Sequence, residues 1–224
     1  NCTGYHKTDE VEKNGSLGMR INAHAVSEMA NICQEKDAIF FHISTDYVFN
    51  GTKENPYTET DTPAPINVYG STKYMGETLA QSVCSKTYIL RVASLFGISG
   101  SSGKGGNFIE NIISQATKED ELKVVNDIYM SPTGTKFISD IIKEMISIKP
   151  PFGVYHVTNS GQASWYEFAE YVINKLNLET NLIPVSASIY PSVSKRPKYS
   201  VMSSEKLVQN GMNVISWKEE VDRY

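Results

Sequence analysis

The sequence has no long apolar run and little cysteine or histidine, and each shortage excludes a class of protein. No stretch approaches the roughly 18 consecutive apolar residues of a membrane-spanning helix. The three cysteines, Cys2, Cys33 and Cys84, show no C-x-x-C spacing, which argues against a disulfide framework or a zinc site. The four histidines are equally scattered. We therefore expect no metal site, and reduced thiols are typical of a cytoplasmic protein.

Basic charge is also in short supply. The formal net charge is −4 at pH 7, and no basic patch is interleaved with the aromatic residues. Because nucleic acids and anionic membranes bind basic surfaces, we expect neither as a main partner. With 40% hydrophobic and 21% charged residues in 224, the chain is an ordinary globular protein of one large domain or two closely packed lobes.

Helix and strand patterns alternate along the chain, which predicts an α/β fold with a largely parallel sheet. Apolar residues recur every three or four positions from Leu17 to Gln34, whereas 38–44 is typical of a strand buried on both faces. Further helices are predicted at 69–83, 108–116, 137–147 and 165–176, and further strands at 87–92, 122–125 and 153–158. Ser99 to Gly106 is predicted to be a flexible loop, and Asn107 to cap the helix that follows.

Two Tyr-x-x-x-Lys pairs occur in predicted helices, where this spacing places both side chains on one face. In the first pair, an ammonium at Lys73 would lower the pKa of the Tyr69 phenol, which is about 10 when unperturbed. Such a tyrosine can exchange a proton with a carbonyl or an alcohol. The second pair, Tyr171 and Lys175, lies beside an apolar helix face, and helix packing and solvation explain it.

A hydroxyl group upstream distinguishes the first pair. Thr45 ends the strand in "HISTDYVFNG", 24 residues before Tyr69, whereas Ser147, equally far before Tyr171, ends a helix. In parallel α/β sheets, ligands bind at the carboxyl ends of strands. Thr45, Tyr69 and Lys73 together therefore predict a proton-transfer site with an additional donor for a substrate oxygen.

The set Thr45, Tyr69 and Lys73 resembles the Ser/Thr-Tyr-Lys triad of extended short-chain dehydrogenases/reductases. Within that superfamily, the chain looks like the TDP-4-dehydrorhamnose reductase branch in "STDYVFNG", "PYTETDTPAPINVYGSTKYMGE", "NFIE", "SPTG", "GVYHVTNSGQASWYEFA" and "RPKYSV". The resemblance implies a Rossmann-like parallel sheet flanked by helices, with a smaller interleaved substrate-binding lobe. We expect a partial dinucleotide-binding domain at 1–100 and 134–158, and the substrate-binding lobe at 101–133 and 159–224.

The resemblance also implies an activity: NAD(P)H-dependent reduction of a nucleotide-linked 4-keto-6-deoxysugar. The expected reaction is TDP-4-dehydrorhamnose to TDP-rhamnose, in surface polysaccharide synthesis. Tyr69 would protonate the sugar C4 oxygen, Lys73 would bind the nicotinamide ribose and lower the Tyr69 pKa, and Thr45 would hydrogen-bond the same carbonyl. The expected cofactor is NADPH or NADH, the expected partner is the nucleotide sugar, and a homodimer is left open.

Further residues of the cofactor site follow from the same resemblance. "NCTGYH" matches the branch's Asn-Ala-Ala-Ala strand end, which places Cys2, Thr3 and His6 beside the cofactor. The glycine-rich fingerprint for the pyrophosphate, which the branch carries upstream of that strand, is absent. We therefore expect about 60 residues to be missing, two βα units of about 30 each, and no catalysis by this chain alone.

Substrate contacts are expected from Asp46, Tyr47, Asn107 and Arg196. A guanidinium such as that of Arg196 suits a diphosphate because it forms bidentate, charge-assisted bonds. Each position also has a structural interpretation: a turn contact for Asp46, a packed ring for Tyr47, a helix N-cap for Asn107 and a solvated charge for Arg196. Ser94 stands where the branch carries a Trp against the substrate, which leaves the particular sugar open.

Two other functions stay open. A non-catalytic regulatory subunit on the same fold, resembling the β subunit of methionine adenosyltransferase, would accommodate the missing Trp. An epimerase or a dehydratase would use the same scaffold. The intact Thr45, Tyr69 and Lys73 favour an enzyme, and the quoted segments favour the reductase branch.

Overall fold

The computed structural model describes residues 1–99 and 106–224, so most of the predicted Ser99–Gly106 loop lies outside the described residues. The α-helices of the described chain are α1 (Thr8–Lys13), α2 (Gly15–Met19), α3 (Ala25–Glu35), α4 (Val68–Val83), α5 (Phe108–Ala116), α6 (Thr135–Ile148), α7 (Trp165–Lys175), α8 (Glu205–Gln209) and α9 (Trp217–Arg223). Its strands are β1 (Phe40–Thr45), β2 (Thr87–Val92), β3 (Leu95–Phe96), β4 (Glu121–Val125), β5 (Tyr129–Met130), β6 (Thr133–Gly134), β7 (Gly153–His156), β8 (Ala163–Ser164) and β9 (Asn181–Val185).

The main sheet is parallel, in the order β1-β2-β7, which confirms the predicted α/β class. Its strands are rich in aromatic and branched apolar residues, and every residue of β2 is buried. On one face the sheet packs against α3 and α4 through Val26, Ala30 and Ala80. On the other face it packs against α6 and α8, for example through Ile141 and Leu207. No helix of the described residues has the length and apolar character needed to cross a bilayer.

The helix predicted from Leu17 to Gln34 is present but irregular in its first half. A π-helical turn at Arg20–His24 joins α2 to α3. Asn22 in this turn is fully buried, and its amide bonds the Tyr5 backbone and the Thr72 hydroxyl of α4. The apolar periodicity of the sequence runs through this turn without a break, so it gives no signal for the irregularity.

Among the described residues, three two-stranded sheets form from strands that follow β2 in the chain. β4 pairs with β9 and β3 with β6 in parallel, and β5 pairs with β8 antiparallel. Phe96, Met130, Phe168 and Trp217 form a separate core cluster there. The strand β9 was not predicted, because Pro184 interrupts its short apolar pattern. The division into two lobes stays a prediction.

Capping residues fix where several helices begin, and the predicted cap at Asn107 is one of them. Asn107, Ser164 and Ser216 each form a capping box with the Glu three residues later. In α4, the side chain of Asn67 accepts a bond of 2.7 Å from the Gly70 N–H. Since α4 carries Tyr69 and Lys73, this cap also fixes where the candidate site lies on the helix.

Candidate active site

Thr45 is the last residue of β1 and is buried at the carboxyl edge of the main sheet. Its hydroxyl oxygen accepts a bond of 3.2 Å from the Tyr47 N–H, and the hydroxyl donates to Asp46 Oδ1 at 3.1 Å. These contacts form the turn that follows the strand. The predicted position of Thr45 at a strand end is therefore confirmed.

Tyr69 reaches this strand end from the first turn of α4. Its ring packs edge-on against Tyr47, with centroids 5.9 Å apart. The close approach depends on Gly70, because a Cβ there would overlap the Tyr47 carbonyl oxygen. The sheet edge and the helix start thus bring Thr45, Tyr47 and Tyr69 together.

The electrostatics of Tyr69 differ from the prediction. Burial raises the pKa of Tyr69, the nearby charge of Asp46 raises it further, and the Thr45 hydroxyl offsets part of the effect. The expected lowering by Lys73 is wrong for this structure, since the Lys73 ammonium is directed elsewhere. Tyr69 is therefore a protonated phenol at neutral pH, which is the form required of a proton donor.

Lys73 lies one turn further along α4 and is only 4% exposed. Its Nζ donates to the Ile43 carbonyl of β1 at 2.6 Å and lies 3.3 Å from His42 Nε2. Burial lowers the Lys73 pKa to about 8, although the Glu77 carboxylate opposes the change. Lys73 therefore gains or loses its charge within the neutral to mildly alkaline range.

Behind the site, Glu77 and Arg91 form a buried ion pair. Arg91 Nη2 lies 2.7 Å from Glu77 Oε2, and the two side chains are 3% and 1% exposed. The Ser44 hydroxyl of β1 also donates to Glu77. This pair joins α4 to β1 and β2, and sequence reasoning missed it; a charged residue inside each predicted element was the available signal.

The first residues of the chain lie beside Lys73. Asn1 pairs with the edge of β1 through Phe41 and Ile43, and its side-chain oxygen accepts bonds from Thr3. Cys2 and Thr3 are exposed there, and a Cβ added to the following Gly4 would lie 3.9 Å from Lys73 Nζ. His6 is half-buried, with Nδ1 3.4 Å from the Gly4 carbonyl oxygen. The structure thus brings Cys2 and Thr3 to the predicted cofactor side, while their roles stay predictions.

Asp46 points inward. It is 5% exposed, and its Oδ2 accepts a bond of 2.6 Å from the Ser200 hydroxyl. Burial raises its pKa to about 6. Both carboxylate oxygens are thus engaged inside the protein, the arrangement expected of the structural interpretation. A direct substrate contact for Asp46 stays a prediction without support from this geometry.

Tyr47 and Arg196 are close enough to interact electrostatically. Burial raises the Tyr47 pKa to about 12, Asp46 adds to the effect, and the positive charge of Arg196 opposes it. The Arg196 side chain is exposed. The structure therefore brings Arg196 near Tyr47, which packs against Tyr69.

Asn107 and Ser94 lie at other positions around the same edge. The Asn107 amide caps α5 and donates to Gly97 O at 2.9 Å and to the Tyr224 hydroxyl at 3.1 Å, so the N-cap interpretation is confirmed. Ser94 follows β2 and has φ of +43°, a left-handed conformation that is uncommon for serine. Its half-buried side chain stands two residues beyond Val92, the partner of Thr45 in the sheet.

The arrangement as a whole suits reduction of a carbonyl. A protonated phenol and a second hydroxyl lie at the end of a parallel strand, and an amine with a lowered pKa lies one helical turn away. The exposed guanidinium of Arg196, near Tyr47, can bind an anionic part of a substrate. These are the donors needed to hold and protonate a carbonyl oxygen.

Known proteins share both the sequence and the fold of this chain. The family model of the RmlD substrate binding domain matches residues 1–224. The spore coat polysaccharide biosynthesis protein SpsK of Bacillus subtilis is 35% identical over 224 residues, which cover 100% of this chain and 77% of that protein. The dTDP-4-dehydrorhamnose reductase of Escherichia coli K12 is also 35% identical, with 100% of this chain and 77% of that protein covered.

A solved structure agrees with these relatives. The crystal structure of dTDP-4-dehydrorhamnose reductase from Bacillus anthracis in complex with NADP superimposes with a TM-score of 0.93 at 36% identity. The match covers 100% of this chain and 78% of that chain. On the family model, the sequence identity and the fold, the chain belongs to the RmlD substrate binding domain family.

Proposed function

We propose that this chain carries the reductase site of an enzyme that converts TDP-4-dehydrorhamnose to TDP-rhamnose with NADPH, in surface polysaccharide synthesis. The observation that carries the proposal is the meeting of Thr45, protonated Tyr69 and Lys73 at the carboxyl end of β1. Relatives that carry the name dTDP-4-dehydrorhamnose reductase support the reaction, and the NADP complex of one of them supports the cofactor. The regulatory-subunit alternative is not favoured.

The residues around Lys73 fit a nicotinamide ribose. A Cβ added to Gly4 would lie 3.9 Å from Lys73 Nζ, so the backbone of the first residues passes close to the amine. The exposed Thr3 and the amine of Lys73 supply the kinds of donor that ribose hydroxyls accept. Cys2, Thr3, Tyr69 and Lys73 would hold the cofactor, with His6 nearby. When bound, NADPH supplies the hydride that reduces the C4 carbonyl carbon.

Tyr69 is the proposed acid. Because burial raises its pKa, Tyr69 holds its proton at neutral pH and donates it to the C4 oxygen as that oxygen becomes an alcohol. Thr45 turns its hydroxyl from Asp46 to the same oxygen and stabilises the developing charge. Lys73, whose Nζ donates to the Ile43 carbonyl, would hold the nicotinamide ribose and so place the cofactor beside Tyr69, and the phenolate left on Tyr69 regains its proton from water.

The substrate side of the proposal rests on Arg196 and Tyr47. The exposed guanidinium of Arg196 would bind the diphosphate, and Tyr47 would contact the sugar between Arg196 and Tyr69. Ser94 would adjoin the sugar where the sequence predicts a departure from the branch. Asn107 would act through the cap and position of α5.

Three further parts of the proposal concern the organisation of the protein. We assign 1–100 and 134–158 to the cofactor lobe, and 101–133 and 159–224 to the substrate lobe. Three free cysteines fit a reducing cytoplasmic location. A homodimer is supported by apolar side chains that α6 and the following segment leave exposed, Ile146, Ile148 and Phe152. Light scattering on the full-length protein tests the dimer.

Activity is tested by NADPH oxidation with TDP-4-dehydrorhamnose, using the full-length protein. Tyr69→Phe should lower kcat by about 10²- to 10⁴-fold, because it removes the proton donor. The matched control is Tyr171→Phe, which removes the same hydroxyl from the other Tyr-x-x-x-Lys pair and should leave kcat within about twofold. NADPH binding, followed by fluorescence, should survive in both variants.

The two possible negative results would refute different parts of the proposal. Turnover retained by Tyr69→Phe would refute the assignment of the proton donor. A wild-type protein that binds NADPH but reduces no TDP-4-dehydrorhamnose would refute the proposed reaction, and other 4-keto sugars would then be compared.

A further inference from the structure

The segment of residues 192–200, here called the strap, carries Arg196 and is bonded to residues adjoining Tyr69 and Thr45. Its first part is held by Asp9, whose Oδ1 accepts a bond of 2.9 Å from the Ser194 N–H and one of 3.0 Å from the Ser192 hydroxyl. Asp9 belongs to α1 and is not one of the residues proposed to bind the cofactor or the substrate. They show that the strap is tied down by specific side chains.

Asn67 ties the next residue of the strap to the catalytic helix. Its Oδ1 accepts the Gly70 N–H at 2.7 Å, which caps α4, and its Nδ2 donates to the Lys195 carbonyl at 2.8 Å. The side chain is buried, so neither bond competes with bulk water. The Asn67 amide therefore bonds both the start of the helix that carries Tyr69 and the backbone next to Arg196.

Ser200 ties the far end of the strap to the catalytic strand. Its hydroxyl donates to Asp46 Oδ2 at 2.6 Å, and Asp46 Oδ1 accepts from Thr45 at 3.1 Å. The residue before Ser200 is also held, since the backbone on either side of it pairs with Tyr129. The strap is thus bonded to the elements that position both hydroxyls of the site.

Arg196 lies between these two anchors. Next to it, Pro197 is buried against Gly51, which has φ of +78° and no room for a Cβ. The backbone of Arg196 is therefore fixed on both sides while its guanidinium stays exposed and acts on the pKa of Tyr47. This is the arrangement expected of a cation whose backbone is fixed relative to Tyr47 and whose side chain is available to a ligand.

We propose that Asn67 is a positioning residue that couples binding of a nucleoside diphosphate at Arg196 to the placement of Tyr69. This inference rests on the proposed function for the identity of the ligand. The remote diphosphate supplies binding energy, and the bond from Asn67 to Lys195 O ensures that a diphosphate bound at Arg196 sets the sugar in register with the acid. Ser200 and Asp46 anchor the other end of the same strap.

Asn67 allows a clean test because its two bonds can be separated. Asn67→Asp keeps the oxygen that caps α4 but places a carboxylate oxygen against the Lys195 carbonyl. Asn67→Ser also keeps a capping oxygen, and it removes the donor to Lys195 without adding charge. Both variants should fold with α4 intact, and each loses the tie to the strap.

Asn159 provides the matched control. It is fully buried, its Oδ1 accepts the Gly134 N–H at 3.0 Å, and its Nδ2 donates to the Ile215 carbonyl at 3.2 Å. Asn159→Asp therefore makes the same chemical change at a site that carries neither Tyr69 nor Arg196. Thermal unfolding of both variants shows whether their losses of stability are similar.

The measurement is calorimetric titration of the full-length protein with TDP, which needs no turnover. Asn67→Asp and Asn67→Ser should raise the Kd for TDP by about 5- to 10-fold, the usual effect of one lost hydrogen bond, whereas Asn159→Asp should stay within about twofold. In steady-state assays the KM for the nucleotide sugar should rise in the Asn67 variants, and the KM for NADPH should not.

A double-mutant cycle identifies the path of the coupling. Arg196→Ala alone should weaken TDP binding, and adding Asn67→Asp to it should have little further effect, because Asn67 acts through Arg196. Additive effects, or wild-type TDP affinity in both Asn67 variants, would overturn the role of Asn67. So would wild-type affinity in Arg196→Ala. A wild-type protein that shows the coupling but reduces no sugar would contradict the proposed function and still support this role.

Discussion

Two helices of this protein carry a tyrosine and a lysine at the same spacing, but the two pairs differ in burial and in hydrogen-bond partners. In α4, Tyr69 meets Tyr47 and the end of β1, and Lys73 is buried against the Ile43 carbonyl. In α7, the Tyr171 hydroxyl donates to Asp222 Oδ1 at 2.8 Å. The lysine of that pair also bonds Asp222 Oδ1, at 2.9 Å.

The pKa values of the two lysines are shifted in opposite directions. Burial lowers the pKa of Lys73 to about 8, whereas the hydrogen bond to Asp222 raises the pKa of Lys175. One lysine can change its charge near neutral pH, and the other remains charged throughout. Spacing places a tyrosine and a lysine on one helix face, but burial against a strand end is what shifts the pKa of the lysine toward neutrality.

Replacing each lysine in turn should give the largest difference in activity between the two pairs. Lys73→Met should lower kcat/KM by about 10²- to 10³-fold, because it removes the buried amine that is proposed to hold the nicotinamide ribose. Lys175→Met should leave kcat/KM within about twofold, because it removes an exposed ion pair. NADPH oxidation measures both variants. Equal losses in the two would show that burial is not the deciding difference.

The pH dependence of stability gives an independent test of Lys73. Its folded pKa is about 8 and its unfolded value is 10.5, so the unfolded chain binds more protons between these values. The Lys73 contribution to the free energy of unfolding is then present above pH 10.5 and is lost as pH falls through about 8. Urea titrations should show this rise with pH in the wild type but not in Lys73→Met.

Replacing the acidic partner of Arg91 in α4 and that of Lys175 in α9 compares a buried ion pair with an exposed one. Glu77→Gln should destabilise the protein by about 3–5 kcal/mol, because it leaves the buried Arg91 guanidinium without a counter-charge. Asp222→Asn should cost about 1 kcal/mol or less, because both side chains of the Lys175–Asp222 pair reach solvent. Denaturant unfolding of the two variants checks the difference, and similar costs would contradict the burial of the first pair.

Asp46 should give an effect on stability that depends on pH. Burial raises its folded pKa to about 6 from 3.8, so its contribution to stability is present below pH 3.8 and is lost as pH rises through about 6. Asp46→Asn resembles the protonated form. The stability of the variant relative to the wild type should therefore rise by about 2 kcal/mol between pH 4.5 and pH 7.5. A difference that does not change with pH would contradict the raised pKa.

Local pattern accounts for much of what was predicted. The apolar runs of β1 and β2, the Asn107 cap of α5 and the helix of Tyr69 were all predicted from neighbouring residues. These features depend on contacts within a few positions of the chain, which the sequence displays directly. The reductase resemblance rests on the same local segments.

Contacts across long sequence separations could not be read in this way. The bond from Asn67 to Lys195 spans 128 residues, and that from Asp46 to Ser200 spans 154. Neither has a local signal, and the sequence predicted Asp46 as a substrate contact. The raised pKa of Tyr69 was missed for the same reason, since it depends on which groups surround the phenol.

The amino-acid sequence by itself determined the elements, the helix caps and the order of Thr45, Tyr69 and Lys73 along the chain, because short-range sterics and hydrogen bonding fix these. Only the tertiary structure decided the different burial and bonding of the two Tyr-x-x-x-Lys pairs and the anchoring of the backbone on either side of Arg196. The physical reason is that desolvation and long-range hydrogen bonds depend on packing, and packing brings together residues that the sequence keeps far apart.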